Sequence, residues 1–204
     1  MIFQYNKINF YNNKIKLTNN KMNLTNNYRY FRQIPNIVDG LTLFIIQKEI
    51  IDEDNDGLYS YIYFLHNKTI PINELNSLIN NKKLNLLSSL DTVWDFNEKK
   101  IGILGIHTSL NQRNKGYASL LIIISCIIAE RFGLNLIELD DCSDNFKKQK
   151  NLYTNLSFRY IEKGFPEMIG STKQIIRQWR KIKLKYKFNG DILKLLIPNS
   201  QNLI

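Results

Sequence analysis

Apolar positions along this chain follow two periods, and the changes from one to the other mark its elements. Leu41 to Ile51 is dominated by apolar side chains and predicts a strand. The acidic turn Asp52-Glu53-Asp54-Asn55-Asp56-Gly57 follows, then a second strand over Leu58 to Leu65, so the pair reads as a hairpin. Pro71 suits the first turn of a helix running to about Asn80, with Ile72, Leu75, Leu78 and Ile79 at helical spacing, and polar Asn80 to Lys83 breaks the pattern. Ile101 to Thr108 alternates Ile101, Ile103 and, out of strict step, Ile106; its glycines at 102 and 105 leave room for a ligand against the backbone. Ala118 to Phe132 is too long for an ordinary strand and ends at Gly133, which predicts a buried helix with a glycine cap. Leu134 to Leu139 predicts the next strand, and strand, helix and strand in this order favour parallel pairing across a crossover.

Downstream, the polar segment from Ser143 to Leu156 predicts a helix with Ser143 or Asp144 as N-cap, followed by a short strand from Phe158 to Ile161. A loop beyond Gly164 holds Pro166 and Gly170. Ile182, Leu184, Tyr186 and Phe188 alternate with lysines at 181, 183, 185 and 187, which predicts a terminal strand with one basic face. Residues 1–27, rich in Asn and Lys, predict a loosely held arm; 28–197 reads as a single domain and 198–204 as a short tail. The fold class is α/β or α+β.

Composition narrows the setting. The 204 residues, 44% hydrophobic and 12% aromatic, can bury a real core, which excludes disorder throughout. The longest apolar stretch, Leu120 to Ala129, is about half the ~20 residues needed to span a bilayer, and the amino terminus lacks a continuous apolar run. The expectation is a soluble, cytoplasmic protein with no membrane partner. Cys126 and Cys142 form neither a metal-ligand spacing nor a disulfide framework and read as reduced thiols, with no metal expected. The net charge of +10 is unevenly placed: residues 1–33 hold six basic and no acidic residues, 173–187 hold seven and none, and 34–172 hold fourteen against seventeen acids. Nucleic acid is therefore a partner class to weigh, though no nucleic-acid motif accompanies the charge.

Between the strand ending at Thr108 and the long helix lies Gln112-Arg113-Asn114-Lys115-Gly116-Tyr117-Ala118-Ser119. Gly116 and the small Ala118 let backbone N–H groups approach a ligand, and a helix start supplies unpaired donors and partial positive charge suited to phosphate. A glycine there also serves the plain geometry of a strand-to-helix turn, and the pattern alone leaves both readings open.

Arg113-x-x-Gly116-x-Ala118, after a strand and opening a helix, resembles the acyl-CoA pyrophosphate loop of the GNAT superfamily of N-acyltransferases, Arg/Gln-x-x-Gly-x-Gly/Ala. Leu152-Tyr153-Thr154-Asn155-Leu156-Ser157-Phe158 is similar to the family's second signature, in which an aromatic-ended helix runs through Leu-Gly-Phe into a strand. The likeness covers residues 95–163. It implies a central mixed, mostly antiparallel sheet with a splayed parallel strand pair and flanking helices, and acetyl transfer from acetyl-CoA to a primary amine by direct attack. Backbone amides of Arg113, Asn114, Lys115, Gly116, Tyr117 and Ala118 would then hold the pyrophosphate. Ser119 would add a hydroxyl and Arg113 and Lys115 charge. Ile106 to Thr108 would line the pantetheine arm in the opening between the strands.

Tyr153 matches the tyrosine that protonates the departing thiolate; its other reading is packing against Phe158. His107, at the end of the ligand-facing strand, is the base or a polar packing residue. Asp140 and Asp141 bind a cationic amine, or with Asp144 relay its proton, unless they serve as turn and cap residues. Two positions depart from the family pattern. Ser157 replaces the usual glycine, which puts the tight turn before Phe158 in question, and Phe146 stands where many members carry Asn, with Asn145 one residue away. The acceptor is a small-molecule or peptide amine, and the oligomeric state is not legible. A nucleic-acid-binding protein or a non-catalytic CoA-binding protein on the same scaffold are the competing readings.

Overall fold

A computed structural model describes residues 28–49, 58–71, 74–75, 86–142, 151–188 and 196. Eight strands form one sheet: β1 (Tyr28–Val38), β2 (Leu41–Glu49), β3 (Leu58–His66), β4 (Ser88–Asp95), β5 (Lys100–Thr108), β6 (Leu136–Asp140), β7 (Arg159–Tyr160) and β8 (Glu167–Ser171). Their spatial order is β1-β2-β3-β4-β5-β6-β8-β7. Every neighbouring pair is antiparallel except β5 and β6, which run parallel. The helices are α1 (Tyr117–Arg131), α2 (Leu152–Asn155), α3 (Thr172–Arg177) and α4 (Trp179–Lys185). This is the mixed, mostly antiparallel sheet with one parallel pair and flanking helices that the sequence reading expects.

Helix α1 is buried on all sides from Leu120 to Ala129, which explains why its sequence reads as a continuous apolar run rather than a stripe. It packs on one face of the sheet against Tyr63, Leu90, Trp94, Ile101 and Ile103. Each such fully buried aliphatic side chain contributes about 1.5–3 kcal/mol. The helix stops where expected. Gly133 adopts φ 77° and donates to the Glu130 carbonyl at 3.0 Å, while the Leu134 N–H reaches the Ala129 carbonyl at 3.1 Å. The opposite sheet face carries a smaller core of Phe44, Ile46, Phe64, Ile70 and Leu75, with Phe44 and Phe64 stacked at 4.7 Å.

The predicted hairpin forms as β2 and β3, although its acidic turn at 52–57 lies outside the described residues. The N–H groups of Glu74 and Leu75 both donate to the Pro71 carbonyl at 3.0 Å, a first helical turn; the rest of the helix expected there, and the break at 80–83, lie outside the described residues. So do the arm at 1–27, Ser143, Asp144, Asn145, Phe146 and the tail at 198–204.

Three expectations are corrected. The segment 143–156 is not one helix, because Asn151 is extended (φ −131°, ψ −176°) and starts α2 by a capping box with Thr154. The loop expected to hold Gly170 is strand β8, wedged between β6 and β7. A side chain at Gly170 would meet Ile175 Cδ1 at 2.9 Å and Phe158 Cδ1 at 3.2 Å, so the strand needs a glycine at an inward position that hydropathy cannot flag. The terminal strand expected over 182–188 is instead helix α4 and its exit. Ile175, Trp179, Ile182 and Tyr186 recur at intervals of four, three and four and turn toward the core, while Leu184, a member of the apparent alternation, is 90% exposed. All that remains of a strand there among the described residues is a single bridge between Val38 and Phe188.

Candidate active site

The site is built where the sheet forks. β5 and β6 share register only at Lys100–Leu136, Ile101–Ile137 and Gly102–Glu138, and an ion pair from Lys100 Nζ to Glu138 at 3.6 Å clips the base of the pair. Beyond Gly102 the distal half of β5 runs on without a registered partner on its β6 side. It is also offset against β4: Asp91 pairs with Gly105 while Thr92 pairs with Ile103, so Leu104 is an extra residue and β5 is bulged there. The bulge accounts for the uneven step from Ile103 to Ile106. Both side chains join the α1 face of the sheet, and the extra residue between them restores the alternation.

On the other face, that same shift places Asp91, Gly105 and His107 together, with His107 opposite Ser89. A Cβ on Gly105 would meet nothing within 4 Å, so this part of the face is open. His107 is exposed, and its carbonyl accepts from Ser88 Oγ at 2.9 Å. Solvent reaches Asp91, yet the protein crowded around it removes enough water to raise its carboxyl above the usual carboxylate range. Asp91 was not singled out from the sequence; the signal that reveals it is the cross-strand register.

At its end β5 passes through a 3-10 turn at Leu110–Gln112 into residues 113–116 and α1. Asn114 and Gly116 both take positive φ, 62° and 85°. The first bond of the α1 ladder runs from Leu120 N–H to the Gly116 carbonyl at 3.0 Å, so the amides of Tyr117, Ala118 and Ser119 have no helical carbonyl to reach. No side chain caps them, and no acidic residue lies in the first turn. These are the features of an anion seat. Arg113 Nε folds back on the Thr108 carbonyl at 3.4 Å, Thr108 Oγ1 lies 2.9 Å from Ser88 Oγ, and Lys115 Nζ donates to Gln112 Oε1 at 2.8 Å. Ile106 packs partly into the core.

Two residues that the sequence reading placed on a basic strand reach this turn instead. Tyr186 donates its hydroxyl to the Lys115 carbonyl, and Lys185 Nζ donates to the Asn114 carbonyl at 3.1 Å. The Tyr186 ring stacks on Tyr117 at 5.9 Å.

Tyr153 sits on α2, half-buried, with its ring edge-on to Phe158 at 6.0 Å. Burial first, then the neighbouring Asp141, Cys142 and Tyr160, pushes its phenol up to about 12. It therefore holds its proton at any physiological pH. Ser157 makes the tight turn before Phe158 without a glycine by adopting φ 74°: its N–H reaches the Thr154 carbonyl at 3.1 Å, the Phe158 N–H reaches the Tyr153 carbonyl at 3.1 Å, and the Ser157 hydroxyl accepts from Gln178 Nε2 at 3.0 Å.

The adjacent aspartates part company. Asp140 is exposed opposite Glu167, and desolvation, then Glu167 and Glu138, raise its carboxyl pKa. Asp141 is 1% exposed; its Oδ2 accepts from Asn151 Nδ2 at 2.7 Å and from the Tyr160 hydroxyl at 2.8 Å. Cys126 is buried and Cys142 exposed, both free. Among the described residues no His, Cys, Asp and Glu group is arranged to hold a metal, and no helix is long and apolar enough to cross a membrane.

No family model matches the sequence, and no curated protein matches it. Among solved structures the chain is similar to a spermidine N-acetyltransferase from Vibrio cholerae in complex with CoA and spermine, at 12% identity over 59% of this chain and 69% of that one, TM-score 0.40. It is also similar to a Bacillus subtilis acetyltransferase in complex with CoA, at 15% identity over 58% and 78%, TM-score 0.35. A cAMP-binding acyltransferase from Mycobacterium smegmatis aligns at 11% identity over 72% and 55%, TM-score 0.43.

Proposed function

We propose that the protein is a GNAT-type N-acetyltransferase that moves an acetyl group from acetyl-CoA to a primary amine by direct attack in a ternary complex. The observation that carries this reading is the fork itself: a parallel pair that parts after Gly102, whose free strand leads into a helix start with uncapped amides. Those amides, from Arg113 to Ser119, suit a pyrophosphate, with Arg113 and Lys115 beside them. The backbone from Ile106 to Thr108 suits the polar amides of the pantetheine arm.

Acetyl-CoA supplies the thioester carbon and a thiolate leaving group. His107 takes the proton from the amine as its nitrogen bonds to that carbon, and Tyr153 gives its proton to sulfur as the carbon–sulfur bond breaks. Asp91, on the face shared with His107, and Asp140, at the end of β6, offer negative charge to a cationic acceptor. Asp141 acts behind them by holding Asn151 and Tyr160, and through Asn151 the start of the helix that carries Tyr153.

A screen of amine acceptors with acetyl-CoA, read by free thiol release, tests this reading. Turnover with a primary amine supports it. CoA binding without thiol release from any acceptor would leave a non-catalytic CoA-binding protein, and absence of both would reject the reading.

A further inference from the structure

We propose that Lys185 and Tyr186 are positioning residues of the acyl-CoA site, holding the 113–116 turn by its carbonyls so that its amides face the pyrophosphate. The inference rests on the reading above and names the part of the chain that shapes its anion seat.

A trans peptide is planar, and its carbonyl and N–H point in opposite directions. Fixing the Asn114 carbonyl therefore fixes the direction of the Lys115 N–H, and fixing the Lys115 carbonyl fixes that of the Gly116 N–H. Lys185 Nζ holds the first at 3.1 Å and the Tyr186 hydroxyl holds the second. Both amides are thereby presented on the side of the turn away from the clasp. The positive φ of Asn114 and Gly116, 62° and 85°, gives the alternating backbone that gathers successive N–H groups into a concave anion site.

The clasp is anchored elsewhere. Tyr186 stacks on Tyr117, the first residue of α1, at 5.9 Å and lies 7% exposed. The next residue joins the turn between β1 and β2: Lys187 N–H donates to Asp39 Oδ1 at 3.1 Å, and Asp39 N–H donates to the Lys187 carbonyl at 3.1 Å. Gly116 is required by the same contact, since a Cβ there would lie 2.9 Å from the Tyr186 hydroxyl and 3.3 Å from Lys185 Nζ. The glycine thus makes room for the clasp on one side of the turn while the amides serve the other.

Tyr186→Phe keeps the ring and removes only the hydroxyl; Lys185→Met keeps the stem and removes the ammonium. Each should be assayed with acetyl-CoA and with S-acetyl-pantetheine, which carries the same thioester without the pyrophosphate. Loss of one such hydrogen bond predicts a rise of about fivefold in KM for acetyl-CoA, with kcat held within about twofold and no comparable change for S-acetyl-pantetheine. Unchanged acetyl-CoA kinetics, or parallel losses with both thioesters, would overturn the proposal. If the wild-type protein releases thiol from neither compound, the acetyltransferase reading fails separately. The clasp is then decided by calorimetric binding of CoA against pantetheine to the same variants, and absence of CoA binding to the wild type overturns it as well.

Discussion

Replacing Gly116 by Ala adds one methyl group where the end of β5, the start of α1 and the exit of α4 meet. Two costs follow. At φ 85° an L side chain is strained by about 1–2 kcal/mol relative to glycine. The new Cβ would also lie 2.9 Å from the Tyr186 hydroxyl, closer than real contacts allow, so the hydroxyl must withdraw from the Lys115 carbonyl, losing about 0.5–1.5 kcal/mol. Together they amount to about 1.5–3.5 kcal/mol, and for a chain of this size a melting midpoint lower by about 3–14 °C. The two costs separate in a double-mutant cycle. In a Tyr186→Phe background the colliding oxygen is already absent, so Gly116→Ala should cost only its backbone part, and the pair should destabilise by about 0.5–1.5 kcal/mol less than the sum of the singles. Chemical denaturation with unchanged slope is the assay. Strict additivity would refute the contact between Tyr186 and the turn; a Gly116→Ala variant as stable as wild type would refute the left-handed backbone. Gly116→Val, which is bulkier still, should in addition lose acetyl-CoA binding.

Tyr153→Phe should lower kcat by about a hundredfold with KM for acetyl-CoA nearly unchanged, and an unaffected kcat would assign proton delivery to another group. The raised phenol also has a stability signature: its contribution is complete below the unfolded value of about 10 and is lost as pH climbs through about 12. Melting midpoints should therefore fall over that alkaline window in wild type, and less steeply in Tyr153→Phe. At Ser157, Ala and Gly both remove the hydrogen bond from Gln178, but only Gly relieves φ 74°; Ser157→Gly should be about 1 kcal/mol more stable than Ser157→Ala by denaturant midpoint.

Much of the sheet and its long helix was legible because the apolar runs are long and punctuated by glycines: β2, β3, β5, α1 and β6 all fall where hydrophobic period and punctuation place them. β4 was hidden by Ser88 and Thr92, which are fully buried at inward positions yet polar; they are satisfied by the carbonyls of His107 and Tyr61 at 2.9 and 3.1 Å. β1 was hidden by Pro35 and a polar start, which an edge strand with an irregular register tolerates. At the candidate site, the loop and Tyr153 are contiguous motifs and can be read along the chain. The clasp joins residues 71 positions apart, and Asp91 shares a face with His107 only through cross-strand register, so neither leaves a local mark. The alternating lysines at 181–187 misled because lysine is as much at home in a helix as on a basic strand face, and the four-three-four spacing running through them was the stronger period.

The bulge in β5 acts as a parity device. A strand has two sides, and every residue past an insertion of one changes sides unless a bulge absorbs it. Were Leu104 taken into the regular pleat, the stretch that ends at the ligand turn would send His107 toward α1 and Ile106 toward the open face. The bulge thus decides whether the strand's polar end belongs to the core or to chemistry. Deleting Leu104 should leave both side chains on their present sides, because Gly105 would then follow Ile103 in regular step.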